Sequence, residues 1–443
     1  MDKELSLLAH PVHSPLRGEL VPPGDKSISH RALILSSLAE GESTVLDLLE
    51  AEDVKATAAA CRQLGADIQA DGRATRIRGC GKSGLKPPAR ILDTGNSGTA
   101  MRLLAGVLAG QGFDSELTGD ESLRRRPMRR IVTPLARMGA RIETTVDGTA
   151  PLRIHGNPAL RGIDYHAPVS SAQVKSCLLL SGLYATGSTC VTEPQPSRDH
   201  TERMLPVYGM PVTDPCCVRG GQALQAAEFQ VPGDISSAAF FLVAAAMVPG
   251  SDILLRNVGI NPTRDGILRV LQAMGARLDI IDSRAFGREP VADIRIRHSA
   301  ALKGIDIPET WVPALIDELP AIMVLAATID GTTRVRGAAE LRVKESDRLA
   351  VMASGLERLG VRLKEHQDGI DIEGGHVAGG EVDGAGDHRC AMSFSVLGQA
   401  SAGSILVRGA RHIDTSYPEF PQHLVSLGGQ LEVHSAPRPG ASK

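Results

Sequence analysis

The sequence predicts a mixed α/β protein of two domains, built from six copies of one structural unit. Three patterns predict this: a glycine after a helix-like segment recurs about every 70 residues, apolar helices alternate with these segments, and short strand-like patches follow both. Glycine readily adopts positive φ, so each recurring glycine is expected just after a helix. The six glycines are Gly65, Gly139, Gly209, Gly275, Gly360 and Gly428.

The apolar helices, for example residues 31–39 and 237–248, are apolar nearly all round, which predicts that they lie inside a domain. Short strands, such as residues 252–258, follow them. The turns between these helices and strands contain Gly41, Gly110, Gly187, Gly250, Gly331 and Gly403.

Six units of this length suit two globular domains of three units each, because solenoid repeats are shorter. Pro-Gly-Asp segments at residues 23–25 and 232–234 divide the chain. We expect a contiguous domain at residues 24–231 and a discontinuous domain at residues 1–21 plus 233–443. The crossovers near 21–24 and 231–234 are the expected hinge.

Composition argues against partners recognised by bulk charge. With 48 Lys and Arg against 51 Asp and Glu, the net charge is −3, which disfavours nucleic acid and anionic membranes. We find no targeting signal and no membrane span. The seven cysteines have no metal-binding or disulfide-framework spacing, so a reducing cytoplasm is expected. They are Cys61, Cys80, Cys177, Cys190, Cys216, Cys217 and Cys390.

Each apolar helix opens with a polar run. In the plain interpretation each run only caps its helix. If the units are related by pseudo-symmetry, however, several helix N-termini converge on one face of each domain and attract anions. We therefore expect an anion-binding cleft between two such faces. The runs are residues 24–27, 95–99, 170–173, 233–237, 316–318 and 386–389.

Basic residues accompany these runs, although each one alone is more often a solvated surface residue. Lys344 and Arg348 are expected four apart on one helical face, with Glu345 about 100° away. A solvated surface face is the alternative. The other basic residues near the runs are Lys26, Arg31, Arg102, Arg126, Lys175, Arg198 and Arg389.

Common cofactor motifs do not explain the first run. Gly18 and Gly24 are separated by five residues, where a Walker A loop has four. The cluster at residues 388–390 lacks the spaced partners of a zinc site. We therefore expect neither a metal nor another cofactor.

Taken together, the chain resembles the EPSP synthase family of enolpyruvyl transferases over essentially its whole length. The resemblance implies two domains, each with three βαβαββ repeats, that form an inside-out α/β barrel and close over the substrates. The segments that carry the resemblance are residues 23–31, 95–102, 126–128, 171–173, 342–348 and 386–389.

The resemblance implies transfer of the enolpyruvyl group of phosphoenolpyruvate to the 5-hydroxyl of shikimate 3-phosphate. A tetrahedral intermediate then loses phosphate, and the product leads through the shikimate pathway to chorismate and aromatic amino acids. The implied partners are these two substrates and glyphosate as an inhibitor, with no nucleic acid or membrane. A cytoplasmic monomer without cofactor is expected.

The resemblance also implies roles for individual residues. Asp317 is the expected base on the 5-hydroxyl, Glu345 the expected proton donor to the phosphoenolpyruvate methylene, and Lys26 a catalytic cation beside both. The residues implied to bind phosphoenolpyruvate are Lys26, Gly98, Arg126, Gln173, Arg348 and Arg389. Those implied to bind shikimate 3-phosphate are Lys26, Ser27, Arg31, Ser171, Ala172, Gln173, Ser197, Arg198, Asp317 and Lys344.

The sequence departs from the family pattern at two places, and two other functions are alternatives. Residues 415–418 lack a lysine that one branch of the family carries, and Leu103 replaces a proline. A UDP-N-acetylglucosamine enolpyruvyl transferase shares the fold, but its loop cysteine is absent from residues 120–126. A binding protein that only sequesters phosphorylated metabolites would not need Asp317 or Glu345.

Overall fold

The computed structural model describes residues 3–214 and 216–437 and divides into two compact units. The discontinuous unit comprises the described residues of 1–23, 233–284 and 290–443, and the central unit comprises those of 24–232 and 285–289. The sequence-based boundaries place residues 285–289 in the discontinuous domain. The structure groups them with the central unit, where the turn at Gly287 lies against Phe229 and Val207.

Strands and helices alternate along the whole described chain, which makes the fold mixed α/β. The strands are β1 (Lys3–His10), β2 (Arg17–Leu20), β3 (Ala39–Leu46), β4 (Asp67–Asp71), β5 (Ala74–Cys80), β6 (Leu92–Asp93), β7 (Ser115–Thr118), β8 (Arg141–Glu143), β9 (Leu152–His155), β10 (Asp164–His166), β11 (Ser188–Thr192), β12 (Cys217–Arg219), β13 (Leu224–Gln225), β14 (Glu228–Gln230), β15 (Asp252–Gly259), β16 (Arg277–Phe286), β17 (Glu289–Arg297), β18 (Thr332–Val335), β19 (Arg362–His366), β20 (Gly369–Glu373), β21 (Gly380–Asp383), β22 (Ile405–Arg408) and β23 (Gln430–Pro437). The α-helices are α1 (Lys26–Leu38), α2 (Glu52–Gln63), α3 (Gly98–Ala109), α4 (Arg129–Arg137), α5 (Ala172–Gly182), α6 (His200–Met204), α7 (Ile235–Met247), α8 (Gly266–Ala273), α9 (Leu319–Thr328), α10 (Arg348–Arg358), α11 (His388–Leu397) and α12 (Phe420–Ser426). Short 3₁₀ helices lie at Leu123–Arg125, Leu205–Tyr208, Glu309–Ala314, Ala339–Val343 and Arg411–Thr415.

The strands of the described residues form six small sheets, three in each unit. The central unit contains β13-β3-β5-β4, with β14 also paired to β3, together with β6-β7-β9-β8 and β10-β11-β12. The discontinuous unit contains β16-β17-β15-β2, β18-β20-β19 and β21-β22-β1-β23. Each unit also has its own hydrophobic core.

Parallel strand pairs determine where the helices begin. β6 and β7 pair in parallel on either side of α3, and β10 and β11 do the same on either side of α5. In the discontinuous unit, α11 connects the parallel strands β21 and β22. The carboxyl ends of parallel strands lie at the same sheet edge, so the N-terminus of the helix meets the loop after the second strand.

The structure confirms the role of the recurring glycines. All six of the first series have positive φ, between 78° and 110°. The apolar helices are buried as expected, and every residue of α7 and α11 is buried. The local chemistry of helix ends and the periodicity of apolar residues were sufficient to predict both features.

The expectation that the cysteines form no disulfide is wrong for one pair. β11 and β12 run antiparallel with Cys190 directly opposite Cys217, and their sulfurs are bonded. The pair is 27 residues apart in the chain, so only the register of the two strands brings the sulfurs together. The described cysteines without a disulfide are Cys61, Cys80, Cys177, Cys216 and Cys390.

None of the helices within residues 3–214 and 216–437 has the length and apolar character needed to cross a membrane. In the same residues, no group of three or more His, Cys, Asp or Glu side chains is arranged to hold a metal ion.

Candidate active site

Arg348 is the first residue of α10, and the expected helical face at residues 344–348 is not formed. The Asp347 carboxylate accepts a hydrogen bond from the Ala350 N–H, which caps α10 and places Lys344 outside the helix. Lys344 and Arg348 nevertheless approach the same oxygen. Lys344 Nζ lies 3.4 Å and Arg348 Nη1 lies 3.0 Å from Oδ1 of Asp317. Tertiary contact, rather than helical spacing, brings the two cations together.

The Arg348 guanidinium joins three carboxylates, and its side chain is only 1% exposed. Nη1 donates to Asp317, Nη2 donates to Glu345, and Nε donates to Asp387 at 2.8 Å. Burial alone would lower the pKa of Arg348, but Asp387, Glu345 and Asp317 raise it well above its usual value. Arg348 is therefore a fixed positive charge between the expected base, Asp317, and the expected proton donor, Glu345.

Asp387 binds the expected cation Arg348 and also caps the helix that carries Arg389, whereas the sequence indicated only a helix cap at this position. One carboxylate oxygen accepts from the Arg389 backbone N–H at 2.9 Å and so caps α11. The other accepts from Arg348. Arg389 in turn donates to the Asp317 carbonyl oxygen at 3.2 Å. The discontinuous unit thus brings all its expected site residues together around Asp317.

Five of the six polar runs cap their helices, as the plain interpretation expected. Asp25, Ser97 and Ser171 accept from backbone N–H groups in the first turns of α1, α3 and α5. Asp234 does the same for α7, whereas Glu318 makes no side-chain cap for α9. Capping and anion binding do not exclude each other, because a helix N-terminus has several backbone N–H groups and a positive dipole end.

Lys26 begins α1, and its ammonium is paired rather than isolated. Nζ lies 3.0 Å from Oδ2 of Asp53, a residue in the first turn of α2. The Lys26 side chain is 17% exposed and that of Asp53 is 6% exposed. No local pattern in the sequence indicated Asp53 as the partner, because most of α1 and all of β3 separate the two residues in the chain.

Gly98, Arg126 and Gln173 lie together near the start of α3. Arg126 Nη2 donates to the side-chain oxygen Oδ1 of Asn96 at 2.7 Å, and Arg102 Nη1 donates to the side-chain oxygen Oε1 of Gln173. A Cβ atom added to Gly98 would lie 2.8 Å from Arg102 Nη1 and 3.3 Å from Arg126 Nη1. Only glycine therefore leaves both guanidinium groups where they are.

Arg31 lies inside α1 and is positioned by a further set of oxygens. Its guanidinium donates to Thr201 Oγ1 and Ser176 Oγ, each at 2.7 Å, and to the carbonyl oxygen of Ser27 at 2.8 Å. Burial, and to a smaller extent the charge of Arg198, lowers the pKa of Arg31 to about 10, although Glu202 opposes this shift. Arg31 and Arg198 are both cations, so a bound anion would offset the repulsion between their charges.

The remaining expected residues of the central unit surround α5. Ala172 is its first residue, Ser171 caps it, and the loop after β11 carries Ser197. The Ser197 hydroxyl donates to the Glu193 carboxylate at 2.7 Å. Two carboxylates close to Arg198 in the chain pair with other cations: Asp199 pairs with Arg203, and Glu202 pairs with Lys175.

Comparison with known proteins identifies the chain's relatives. The family model described as EPSP synthase (3-phosphoshikimate 1-carboxyvinyltransferase) matches residues 12–424. A 3-phosphoshikimate 1-carboxyvinyltransferase of Methylococcus capsulatus is 54% identical over 437 residues, which cover 98% of this chain and 99% of the relative. One from Halorhodospira halophila is 54% identical over 423 residues, covering 94% and 95%.

A solved structure agrees with these sequence matches. The EPSP synthase from Acinetobacter baumannii has a TM-score of 0.87 and 48% sequence identity, and the match covers 98% of this chain and 100% of that one. The chain therefore belongs to the EPSP synthase family and is a 3-phosphoshikimate 1-carboxyvinyltransferase of the shikimate pathway of aromatic amino-acid biosynthesis.

Proposed function

We propose that Asp317 is the general base and Glu345 the general acid of the transfer reaction. The observation that carries this assignment is that Arg348, a buried cation, donates to both carboxylates at once. The two groups are thereby held beside one fixed charge. General acid–base groups accelerate reactions only when they are positioned within reach of the proton that they transfer.

The proposed steps balance in protons and bonds. Asp317 accepts the proton of the 5-hydroxyl of shikimate 3-phosphate while that oxygen bonds to C2 of phosphoenolpyruvate. Glu345 gives a proton to C3, which becomes a methyl group in the tetrahedral intermediate. The methyl group then returns one proton to a base, the C2–O bond to phosphate breaks, and the enolpyruvyl ether and phosphate leave. Neither an oxidant nor a reductant is required.

Positively charged side chains bind the two substrates in this proposal. Arg126, Arg348 and Arg389 bind phosphoenolpyruvate, because planar guanidinium groups suit carboxylate and phosphate oxygens. Gly98 and Gln173 complete that set, and Lys26 is the catalytic cation that contacts both substrates. Shikimate 3-phosphate is bound by Ser27, Arg31, Ser171, Ala172, Gln173, Ser197, Arg198, Asp317 and Lys344.

Solvent isotope incorporation tests the assignment of Glu345. In D₂O, protonation of C3 followed by loss of one of three methyl hydrogens places deuterium in the enolpyruvyl group of the product. We expect Glu345→Gln to lower both turnover and the rate of deuterium incorporation. The matched control is Glu340→Gln, which changes a carboxylate on the 3₁₀ helix Ala339–Val343, just before Glu345 in the chain. This variant should incorporate deuterium as the wild type does. Full incorporation by Glu345→Gln would assign the proton donor elsewhere.

We also propose a repeat architecture, an inhibitor and a cellular setting for this enzyme. Six βαβαββ repeats, three per unit, forming an inside-out barrel are supported by the six sheets, each associated with one buried helix. Competitive inhibition by glyphosate is supported by the space that Gly98 leaves beside Arg126. A cytoplasmic monomer completes the proposal. Phosphate release from phosphoenolpyruvate should require shikimate 3-phosphate and should not occur with UDP-N-acetylglucosamine.

A further inference from the structure

The Glu193 carboxylate lies between two serines that the proposed function assigns to shikimate 3-phosphate. Oε1 of Glu193 accepts from the backbone N–H of Ser171 at 2.7 Å, and Oε2 accepts from the backbone N–H of Ser197 at 3.3 Å. The Ser197 hydroxyl also donates to this carboxylate, at 2.8 Å and 2.7 Å from its two oxygens. One side chain therefore connects the N-terminus of α5 to the loop after β11.

The topology explains why these two segments meet. β10 and β11 are neighbouring parallel strands, so the chain leaves both at the same sheet edge. A second connection runs beside the first. The Ser170 hydroxyl donates to the carbonyl oxygen of Gln195 at 2.6 Å and accepts from its N–H at 3.0 Å. Lys175 of α5 adds a third connection, because its ammonium donates to the carbonyl oxygen of Ser197 at 3.4 Å. Of these three side chains, Glu193 is the one that accepts from the backbone N–H groups of both Ser171 and Ser197.

Lys175 compensates the charge of Glu193. Its ammonium lies 2.9 Å from Glu193 and 2.7 Å from Glu202, and the side chains of Lys175 and Glu193 are each only 6% exposed. Burial alone would lower the pKa of Lys175, but Glu202 and Glu193 outweigh this effect and raise it. Because a paired carboxylate repels a neighbouring anion less than an isolated one, Glu193 can remain close to a bound phosphate.

We propose that Glu193 is a positioning residue for the 3-phosphate of shikimate 3-phosphate, which it orients through Ser171 and Ser197 without touching the substrate. The inference rests on the proposed assignment of these two serines. The Ser171 oxygen accepts from the Val174 N–H, which leaves its hydroxyl proton free for a phosphate oxygen. The Ser197 hydroxyl turns from Glu193 to the phosphate on binding, while the two backbone N–H groups stay on the carboxylate.

Glu193→Gln tests the proposal because it keeps the size of the side chain but removes its charge and one acceptor oxygen. We expect the KM for shikimate 3-phosphate to rise about tenfold or more, since a buried backbone donor loses its acceptor. The KM for phosphoenolpyruvate and kcat should stay within about threefold of the wild type. Glu202→Gln is the matched control, because it removes the other partner of Lys175 and leaves both serines bonded. Its KM for shikimate 3-phosphate should change less than threefold.

An unchanged or lower KM in Glu193→Gln would overturn the proposal, as would an equal rise in Glu202→Gln. Ser171→Ala and Ser197→Ala separate this inference from the proposed function. If neither raises the KM for shikimate 3-phosphate, the assignment of the serines fails. If both raise it and Glu193→Gln does not, only the role of Glu193 fails. Should Glu193→Gln not fold, Glu193→Asp carries the test: it keeps the charge beside Lys175 but is one methylene shorter. A wild-type KM in that variant would also overturn the proposal.

Discussion

Arg348 Nη1 donates to Asp317 Oδ1 at 3.0 Å while Nη2 of the same guanidinium donates to Glu345. The proposed base and the proposed acid therefore share one buried cation. A change in the charge of either carboxylate alters the field at the other through Arg348. In this arrangement Asp317 and Glu345 transfer protons and Arg348 positions them. Substitution of a proton-transfer residue should mainly lower kcat, whereas substitution of Arg348 should also lower stability.

Asp317→Asn keeps the shape of the side chain but removes the proposed base. We expect kcat to fall by about 10²–10⁴-fold, the usual contribution of a general base, with a much smaller change in the affinity for shikimate 3-phosphate. Steady-state kinetics and titration calorimetry measure the two quantities separately. Asp306→Asn, which removes an exposed ion pair with Arg334 in the same unit, should behave as the wild type. Parallel losses of turnover and affinity would make Asp317 a substrate contact instead of a base.

Arg348→Lys retains a positive charge but cannot bond to three carboxylates in different directions. We expect a free energy of unfolding lower by about 3–5 kcal/mol, because buried carboxylates lose their partner, together with a large loss of kcat. Arg342→Lys is the control: Arg342 pairs with Asp347 and Glu365 but is 25% exposed. Thermal unfolding and turnover should change little in that variant. A fully stable and active Arg348→Lys would show that charge alone suffices.

Local patterns in the sequence predicted helix ends and buried helices, because both depend on residues close together in the chain. The positive φ of Gly65 and the five glycines like it is an example. Pairings between distant residues were not predictable. Asp53 meets Lys26, and Cys190 meets Cys217, only because strands and helices assemble in a particular register. The helix expected across residues 344–348 failed for a local reason, since Asp347 caps α10 immediately before Arg348.

Gly98→Ala adds one carbon beside two guanidinium groups. The new Cβ would lie 2.8 Å from Arg102 Nη1 and 3.3 Å from Arg126 Nη1, so both guanidinium groups must shift. We expect a KM for phosphoenolpyruvate about tenfold higher and weaker competitive inhibition by glyphosate, since both ligands are proposed to use Arg126. Inhibition kinetics at varied phosphoenolpyruvate concentration measure both effects. Gly112→Ala, where the added carbon has no atom within 4 Å, should leave both constants unchanged. An unaltered KM in Gly98→Ala would place phosphoenolpyruvate away from these arginines.

The Cys190–Cys217 disulfide should stabilise the central unit. For a chain separation of 27 residues we expect reduction to lower the free energy of unfolding by about 3.5 kcal/mol. Thermal unfolding with and without dithiothreitol measures the effect. Under both conditions, Cys190→Ser should melt at the temperature at which the reduced wild type melts. Cys216→Ser is the control, because it removes a neighbouring free thiol and should keep the sensitivity to dithiothreitol. Insensitivity of the wild type would show that the bond does not form in solution.

His30 should make stability fall below neutral pH. Its Nδ1 bonds to Thr57 Oγ1 at 2.7 Å and its Nε2 lies 3.2 Å from Ser97 Oγ, so the ring connects three buried segments. Burial, together with the charges of Lys26 and Arg31, lowers the pKa of His30 to about 3. An unfolded histidine has a pKa of about 6.5. Between these values only the unfolded state binds the extra proton, so stability is lost as pH falls from about 6.5 towards 3.

His30→Gln removes this titration and keeps polar atoms near Thr57 and Ser97. Between pH 7.5 and pH 5, the wild type should lose about 2 kcal/mol more free energy of unfolding than the variant does, because one proton is linked to unfolding over that range. Urea unfolding of both proteins at the two pH values gives the difference. His166→Gln removes a surface histidine whose side chain is 76% exposed, and its pH dependence should match that of the wild type. Equal losses in wild type and His30→Gln would mean that the His30 ring accepts a proton within the folded protein, against the burial that isolates it from water.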